Sequence, residues 1–192
     1  MALERIALDG RFVRLEPLEE LHREPVRRAA QHPEIFTVTT SALGALYDPY
    51  IDNVLKRSAG GQELGFAVLH KPSGRYVGMT RYLYIEEAHR RLEIGGTWYE
   101  PAVWAGPVNP ECKLLLMQHV FEALKFVRVE FKTDARNARS RAAILRLGAT
   151  QEGILRKQMI MADGYIRDSV LFSIIDSDWP AVKAGLEKRL AS

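Results

Sequence analysis

The sequence is poor in cysteine and contains no long apolar run. Its 192 residues include one cysteine, Cys112, which excludes an internal disulfide and favours a reducing compartment. No stretch approaches the roughly 20 apolar residues that a membrane-spanning helix requires. The first five residues also lack the apolar core of a secretory signal. We therefore expect a cytoplasmic protein that does not bind to a membrane.

The net charge of the chain is also small. Lysine and arginine number 27 against 24 aspartates and glutamates, which gives a net charge of +3. There is no wide basic stripe interleaved with aromatic residues, so a nucleic-acid partner is not expected, although a local basic patch could hold a phosphorylated cofactor. The spacing of His70, His89 and His119 matches no metal-ligand pattern with acidic or cysteine partners, so no metal site is predicted.

What the sequence does contain is a regular succession of strand and helix patterns. Its length and its 47% share of apolar residues suit one domain over residues 1–192. An early run of strands precedes alternating helices and strands, which predicts an α/β (α+β) fold with a mixed, mostly antiparallel sheet. The helix at 111–125 is long enough to connect two parallel strands. The predicted strands cover residues 11–18, 64–69, 75–85, 91–99, 126–131, 149–155 and 166–175, and the predicted helices cover residues 21–31, 45–58, 111–125, 137–147 and the segment after Asp178.

The junction at residues 95–113 carries the most information. A strand enters a loop of small residues, and the loop opens a long helix. The first N–H groups of a helix lack internal acceptors and attract anions. Asn109 is predicted as the N-cap, with Pro110 at the first helical position and Lys113 one turn further, within reach of a phosphate. The alternative is an ordinary capped helix that binds nothing.

Ordered fragments along nearly the whole chain resemble the GNAT superfamily of acetyltransferases. The similarity is greatest to the branch that includes the ribosomal-protein N-terminal alanine acetyltransferases. Each fragment is weak alone, but their order and spacing together are specific. The fragments are the Arg-Leu-Glu-Pro-Leu run at 14–18, Glu-Ile-Gly at 93–95, Pro101 with the run from Trp104 to Lys113, Asp134 with Asn137 and Ser140, Leu-Gly-Ala at 147–149, Glu-Gly at 152–153 with Leu-Arg at 155–156, and Gly164 with Arg167 and Asp168.

The resemblance implies a fold, a cosubstrate and a set of binding residues. The sheet would contain a central parallel pair of splayed strands, and acetyl-coenzyme A would bind between them. Backbone amides near Thr97 and Trp98 would hold the acetyl carbonyl as an oxyanion hole does. Asn137 and Ser140 would bind the pantetheine or phosphate arm. The other implied cofactor-binding residues are the phosphate-loop residues Trp104, Ala105, Gly106, Val108 and Asn109, with Lys113 and Lys132.

Two positions depart from the pattern of the family. Pro107 stands where the phosphate loop usually has a glycine, and it has no N–H to donate. Ile144 stands where many members have a tyrosine acid. A catalytically impaired CoA-binding or regulatory domain is therefore the alternative function, and a structural partner without a cofactor is a third.

Glu93 is the candidate catalytic base, acting directly or through a water. Its alternative role is an ion pair with Arg91 or another arginine. Tyr99 and Tyr165 are candidates for the acid that protonates the thiolate, or else packing aromatics. Cys112 could form an acetyl-cysteine if the helix N-terminus lowered its pKa, but its apolar spacing favours a core position.

The basic residues Lys132, Arg136, Arg139 and Arg141 form a cluster that would cradle the adenosine phosphate of CoA or else form a solvated helix face. The expected reaction is direct attack by a primary amine in a ternary complex. That amine is either a protein N-terminus or a small molecule. Residues 29–50 and the hairpin at 159–167 would wall the acceptor site. A homodimer through exposed apolar faces is compatible with the sequence.

Overall fold

An eight-stranded mixed sheet forms the centre of the fold. The computed structural model describes residues 3–38, 44–161 and 163–191, so residues 39–43 and Ala162 of the predicted acceptor walls lie outside the described residues. The strands are β1 (Leu8–Asp9), β2 (Val13–Pro17), β3 (Leu64–His70), β4 (Arg75–Glu86), β5 (Arg91–Tyr99), β6 (Arg128–Asp134), β7 (Thr150–Ile160) and β8 (Ile166–Ile175). The α-helices are α1 (Arg23–Ala29), α2 (Tyr47–Ala59), α3 (Val108–Gln118), α4 (Ala138–Leu145) and α5 (Trp179–Ala191).

The strands are arranged in the order β1-β2-β3-β4-β5-β6-β8-β7. Within this sheet β5 and β6 run parallel and the other neighbouring pairs are antiparallel. This confirms the predicted mixed sheet and the predicted crossover through the helix at the junction. Because β8 lies between β6 and β7, α4 connects two strands that are not neighbours.

Each face of the sheet packs against a different group of helices. Side chains alternate between faces along a strand. Leu92 and Ile94 of β5 face a core that also contains residues of α3 and α5. Trp98 faces a second core, with Met79 of β4 and residues of α1 and α2. The bulge described below is what places Trp98 and Ile94 on different faces.

The helix at the junction begins earlier than predicted. Its first residue is Val108 and Pro107 is its N-cap, so the predicted cap at Asn109 is wrong. Pro110 is the third helical residue, where an N–H would have no intrahelical acceptor, so proline does not interrupt the helix there. After Gln118 the helix widens into a π-turn, His119–Ala123.

Other differences are at the ends of elements. The two-residue strand β1 was not predicted, because so short a segment carries no periodicity. The predicted strand at 149–155 continues to Ile160, and the predicted helix at 137–147 ends at Leu145. None of these differences changes the order of the elements that surround the junction.

Candidate active site

β5 and β6 separate shortly after they meet. They pair through three positions, from Arg91 opposite Arg128 to Glu93 opposite Glu130. β5 continues to Tyr99, paired only on its other edge with β4. Over residues 94–99 the edge of β5 that faces β6 therefore has no partner strand among the described residues. An extended ligand can hydrogen-bond to such an edge as an added strand does.

A β-bulge lies within this open segment. Thr80 of β4 opposes two residues of β5, Gly96 and Thr97. Gly96 has a φ of +54°, and a Cβ there would lie 2.2 Å from Nε of Arg81, so only glycine fits. The bulge kinks β5 at Thr97, next to Trp98; these are the two residues whose amides were predicted to hold the acetyl group. The register turns the N–H of Trp98 towards Met79 of β4.

Lys113 does not lie where the prediction placed it. Its side chain is 5% exposed and enters the core behind the bulge instead of facing the phosphate loop. Nζ donates a hydrogen bond of 2.7 Å to Oγ1 of Thr97 and lies 3.5 Å from Oγ1 of Thr80. Burial lowers the pKa of Lys113 to about 8. The ammonium has no aspartate or glutamate within ion-pair distance among the described residues.

We expect Lys113→Met to change how stability depends on pH. Unfolded, the lysine keeps its proton up to its ordinary pKa of 10.5, whereas the folded protein releases it above about 8. Between these two pH values the unfolded state binds more protons than the folded state, so Lys113 makes the free energy of unfolding of the wild type rise with pH. At neutral pH the buried ammonium lowers that free energy by about 3 kcal/mol. The variant should be the more stable protein at neutral pH, and should lack this rise.

Urea unfolding at about pH 7 and about pH 9.5 measures the effect. Lys188→Met, at an exposed position of α5, is the control and should keep the wild-type pH dependence. An identical pH dependence for Lys113→Met and the wild type would contradict the assigned environment of Lys113.

The loop before α3 presents a group of free backbone donors. The N–H of Trp104 is used by the carbonyl of Pro101 at 3.0 Å, which departs from its predicted phosphate-binding role. The N–H groups of Ala105, Gly106, Val108 and Asn109 have no acceptor among the described residues. Free donors at and just before a helix N-terminus can bind an anion.

A buried carboxylate fixes this helix start to the sheet. Glu111 is 4% exposed, and its two oxygens accept N–H bonds from Arg11, Phe12 and Val13 at 2.7–2.8 Å. These donors lie about 100 residues away in sequence, at the turn into β2. Sequence reasoning missed this role, because an acidic residue in a first helical turn is expected for the helix dipole alone.

The start of α4 forms the other side of the opening. Asn137 caps the helix by accepting the N–H of Ser140 at 2.9 Å. In the described part of the chain, no group accepts from the amide N–H₂ of Asn137 or from the hydroxyl of Ser140, so both can bind a ligand. The guanidinium of Arg139 stacks over the ring of Trp104, 3.9 Å from its centroid. This contact joins α4 to the loop before α3.

The predicted basic cluster does not converge on one point. Lys132 pairs with Glu93, Arg136 pairs with Asp134, and Arg139 stacks on Trp104. Arg141 donates to the carbonyl of Ala135. These side chains therefore do not meet at one point within the described residues, and their contact with the adenosine phosphate stays a prediction.

Glu93 is buried at the last paired position of β5. Its Oε2 lies 2.9 Å from Nζ of Lys132, and the side chain is 6% exposed. Burial raises the pKa of Glu93, and the nearby ammonium of Lys132 offsets part of that rise. The alternative ion pair with Arg91 is not formed, since Arg91 binds Glu86 and Glu130.

Comparison with known proteins agrees with this geometry. The family described as "Acetyltransferase (GNAT) domain" matches residues 13–150. The chain belongs to the GNAT acetyltransferase family. It is therefore an acyltransferase by family, and membership implies acetyl transfer from acetyl-CoA. No curated protein matches this GNAT chain significantly.

Solved structures resemble this GNAT domain over almost its full length. A GCN5-related N-acetyltransferase from Brucella melitensis is 34% identical, with a TM-score of 0.89 over 99% of this chain and 87% of that one. A structure described as an acetyltransferase from T. thermophilus is 37% identical, with a TM-score of 0.87 over 99% and 100%. Mycobacterium smegmatis RimJ, in complex with CoA-disulfide, is 20% identical, with a TM-score of 0.78 over 96% and 95%.

The remaining candidate groups of this GNAT domain pack against neighbouring side chains, and a role of Tyr99 or Tyr165 as the acid stays a prediction. Burial raises the pKa of Cys112 to about 12, opposite to the lowering that a covalent route needs, so its interpretation as a core residue stands. Tyr99 is buried beside that thiol, and burial raises the pKa of Tyr99. Tyr165 lies under the guanidinium of Arg136, which is 3.4 Å from the ring centroid.

The described part of the chain contains neither a cluster of metal ligands nor a membrane-spanning helix. No three or more His, Cys, Asp or Glu side chains there are grouped to hold a metal ion. No helix there is long and apolar enough to cross a membrane.

Proposed function

We propose that the chain transfers the acetyl group of acetyl-CoA to a primary amine by direct attack in a ternary complex. One observation carries the proposal: β5 leaves β6 after Glu93, bulges at Gly96, and leads to free N–H groups at the start of α3. The arrangement offers an edge for an extended amide chain and an anion site at the end of that edge.

The residues present fit CoA in this position. The pyrophosphate would accept hydrogen bonds from the N–H groups of Ala105, Gly106, Val108 and Asn109. Pyrophosphate binding would therefore not depend on the N–H that Pro107 lacks. The pantetheine would lie along the open edge of β5, with Asn137 and Ser140 opposite. RimJ, whose fold this chain shares, binds a CoA derivative, which supports the placement.

The transfer chemistry would take place at the bulge. The amine nitrogen would form a bond to the acetyl carbonyl carbon of acetyl-CoA, the C–S bond would break, and CoA would leave as a thiolate that takes up a proton. The amide of Thr97 would stabilise negative charge on the acetyl carbonyl oxygen, as a donor fixed before the reaction does. Glu93 would accept the proton of the amine, directly or through a water, and Lys132 keeps that carboxylate available in its ionised form.

The acceptor would approach from the face of the sheet that carries α1 and α2. Leu92 and Ile94 face the α3 core, so Glu93 between them points to the opposite face. This is the face on which Trp98 packs against Phe36, with ring centroids 5.5 Å apart. The acceptor class within reach of Glu93 is a primary amine, either a protein N-terminus or a small molecule.

Turnover with a panel of amines tests the proposal. The purified chain is mixed with acetyl-CoA and with N-terminal peptides or small primary amines, and CoA release and acetylated product are both measured. We expect both to appear with at least one amine. Tight acetyl-CoA binding by calorimetry without transfer would instead support a CoA-binding or regulatory domain.

A matched pair of variants tests the anion site. A Cβ on Gly106 would meet only the carbonyl of Val103, at 3.4 Å, so small side chains fit there. Gly106→Asp should weaken acetyl-CoA binding by about tenfold relative to Gly106→Asn, because its charge repels the pyrophosphate. The same aspartate should slightly stabilise the free protein through the helix dipole. Equal affinity of the two variants for acetyl-CoA in calorimetry would show that the pyrophosphate does not bind at this loop.

A further inference from the structure

Close to Glu93, the sheet carries one cation that pairs with no carboxylate among the described residues. Lys132 lies 2.9 Å from Glu93. Arg136 binds Asp134 through two nitrogens, at 2.9 and 3.1 Å. Arg167 is the fifth charged group of this set, and it makes no hydrogen bond or ion pair within the described residues.

The strand register places Arg167 on the same face as Glu93. Glu93 is opposite Glu130 in the parallel pair, and Asp134, four residues further along β6, points to the same side. Asp134 is opposite Ser169 of β8, and Arg167 lies two residues before Ser169. It therefore stands at the start of β8, as the last residue of the hairpin at 159–167 that is predicted to wall the acceptor site.

The Nε group of Arg167 has lost water without gaining a partner among the described residues. The side chain is half-buried, and its Nε is fully buried with no acceptor. Burial lowers the pKa of Arg167, and the attraction of Asp134 and Glu93 at longer range does not compensate. Buried charges are ordinarily paired, so an unpaired guanidinium beside a candidate base indicates a missing anion.

We propose that Arg167 binds a carboxylate or phosphate of the acceptor, so that the substrates are amines that also carry an anionic group. This inference rests on the proposed acetyl transfer. The anion is assigned to the acceptor and not to CoA, because the free donors for the pyrophosphate lie at the start of α3. Arginine suits the task, since its planar fork matches both anions.

Matched amine pairs test the inference and separate the two anions. An amino acid is compared with its amide, and phosphoethanolamine with ethanolamine, each as kcat/KM with acetyl-CoA. The wild type should prefer the charged member of at least one pair by about tenfold or more. Arg167→Met should abolish that preference, so that the charged and neutral members of a pair are turned over equally, and Arg167→Lys should restore part of it.

Arg156→Met is the matched control, because Arg156 is exposed on the neighbouring strand β7. It should retain the wild-type preference. Equal turnover of charged and neutral members by the wild type, or a preference that survives Arg167→Met, would overturn the inference. So would an Arg167→Met variant whose only change is weaker acetyl-CoA binding, because the anion would then be that of CoA.

A binding measurement keeps the inference separate from the proposed function. Thermal stabilisation of the CoA-bound protein by each amine is recorded for the wild type and Arg167→Met. Stabilisation by the charged members alone, lost in the variant, supports the anion site even if no amine is acetylated, in which case the proposed transfer fails. Equal stabilisation by both members overturns the anion site whatever the turnover.

Discussion

Replacing Glu111 by glutamine is expected to lower the free energy of unfolding by about 3 kcal/mol. The carboxylate accepts three N–H bonds at the turn into β2 while being 4% exposed. Glutamine has one acceptor oxygen in place of two, loses the charge that strengthens these bonds, and turns an N–H₂ group towards other donors. Chemical denaturation of the two proteins measures the difference.

Glu122→Gln is the matched control on the π-turn that continues α3. That side chain is 40% exposed and bonds Trp179 and Lys183 at the surface, so its replacement should cost less than about 1 kcal/mol. An equal decrease in the free energy of unfolding in the two variants would show that the buried hydrogen bonds of Glu111 stabilise the fold no more than the surface contacts of Glu122 do.

The Glu111→Gln substitution should also weaken the binding of acetyl-CoA. Glu111 holds the first turn of α3 against β2, and the free N–H groups of Gly106 and Val108 lie at that turn. Acetyl-CoA should therefore bind Glu111→Gln about tenfold more weakly, measured by calorimetry below its unfolding temperature. Unchanged affinity would mean that the loop keeps its shape without the carboxylate.

The sequence predicted the elements well where local periodicity governs them. The strand at residues 91–99 has the predicted bounds, and the helix before Gly148 and the hairpin that follows have the predicted order. The position of β8 between β6 and β7 could not be predicted, because pairing depends on contacts between distant segments. The start of α3 was missed since a proline at the third helical position resembles one at the first.

The candidate site was predictable in its location and less so in its contacts. The junction loop and the base candidate Glu93 are where the sequence placed them. Lys113 was expected within reach of a phosphate because it lies one turn into the helix, whereas the helix turns it towards Thr97 behind the bulge. The partner of Glu93 is Lys132, not an arginine, since parallel pairing brings β6 beside it.

Glu93→Gln is expected to lower kcat by at least about 100-fold while the Kd for acetyl-CoA changes by less than about threefold. Glutamine keeps the shape of the side chain but cannot take a proton. Glu130→Gln is the matched control, since Glu130 is directly opposite Glu93 in the strand register and pairs with Arg91 and Arg128 within the described residues. Near-normal kcat in Glu93→Gln with reduced stability would make Glu93 a structural partner of Lys132.

The pH dependence of kcat distinguishes these roles further. A base acts only after losing its proton, so the rate should rise with pH through the pKa of Glu93, which burial raises. Lys132 lowers that pKa, so Lys132→Met should move the rise to higher pH. Glu130 raises it, so Glu130→Gln should move the rise to lower pH, and Glu93→Gln should remove it. Shifts of the same sign in Lys132→Met and Glu130→Gln would assign the rise to another group, because opposite charges beside one carboxylate must act on its pKa in opposite directions.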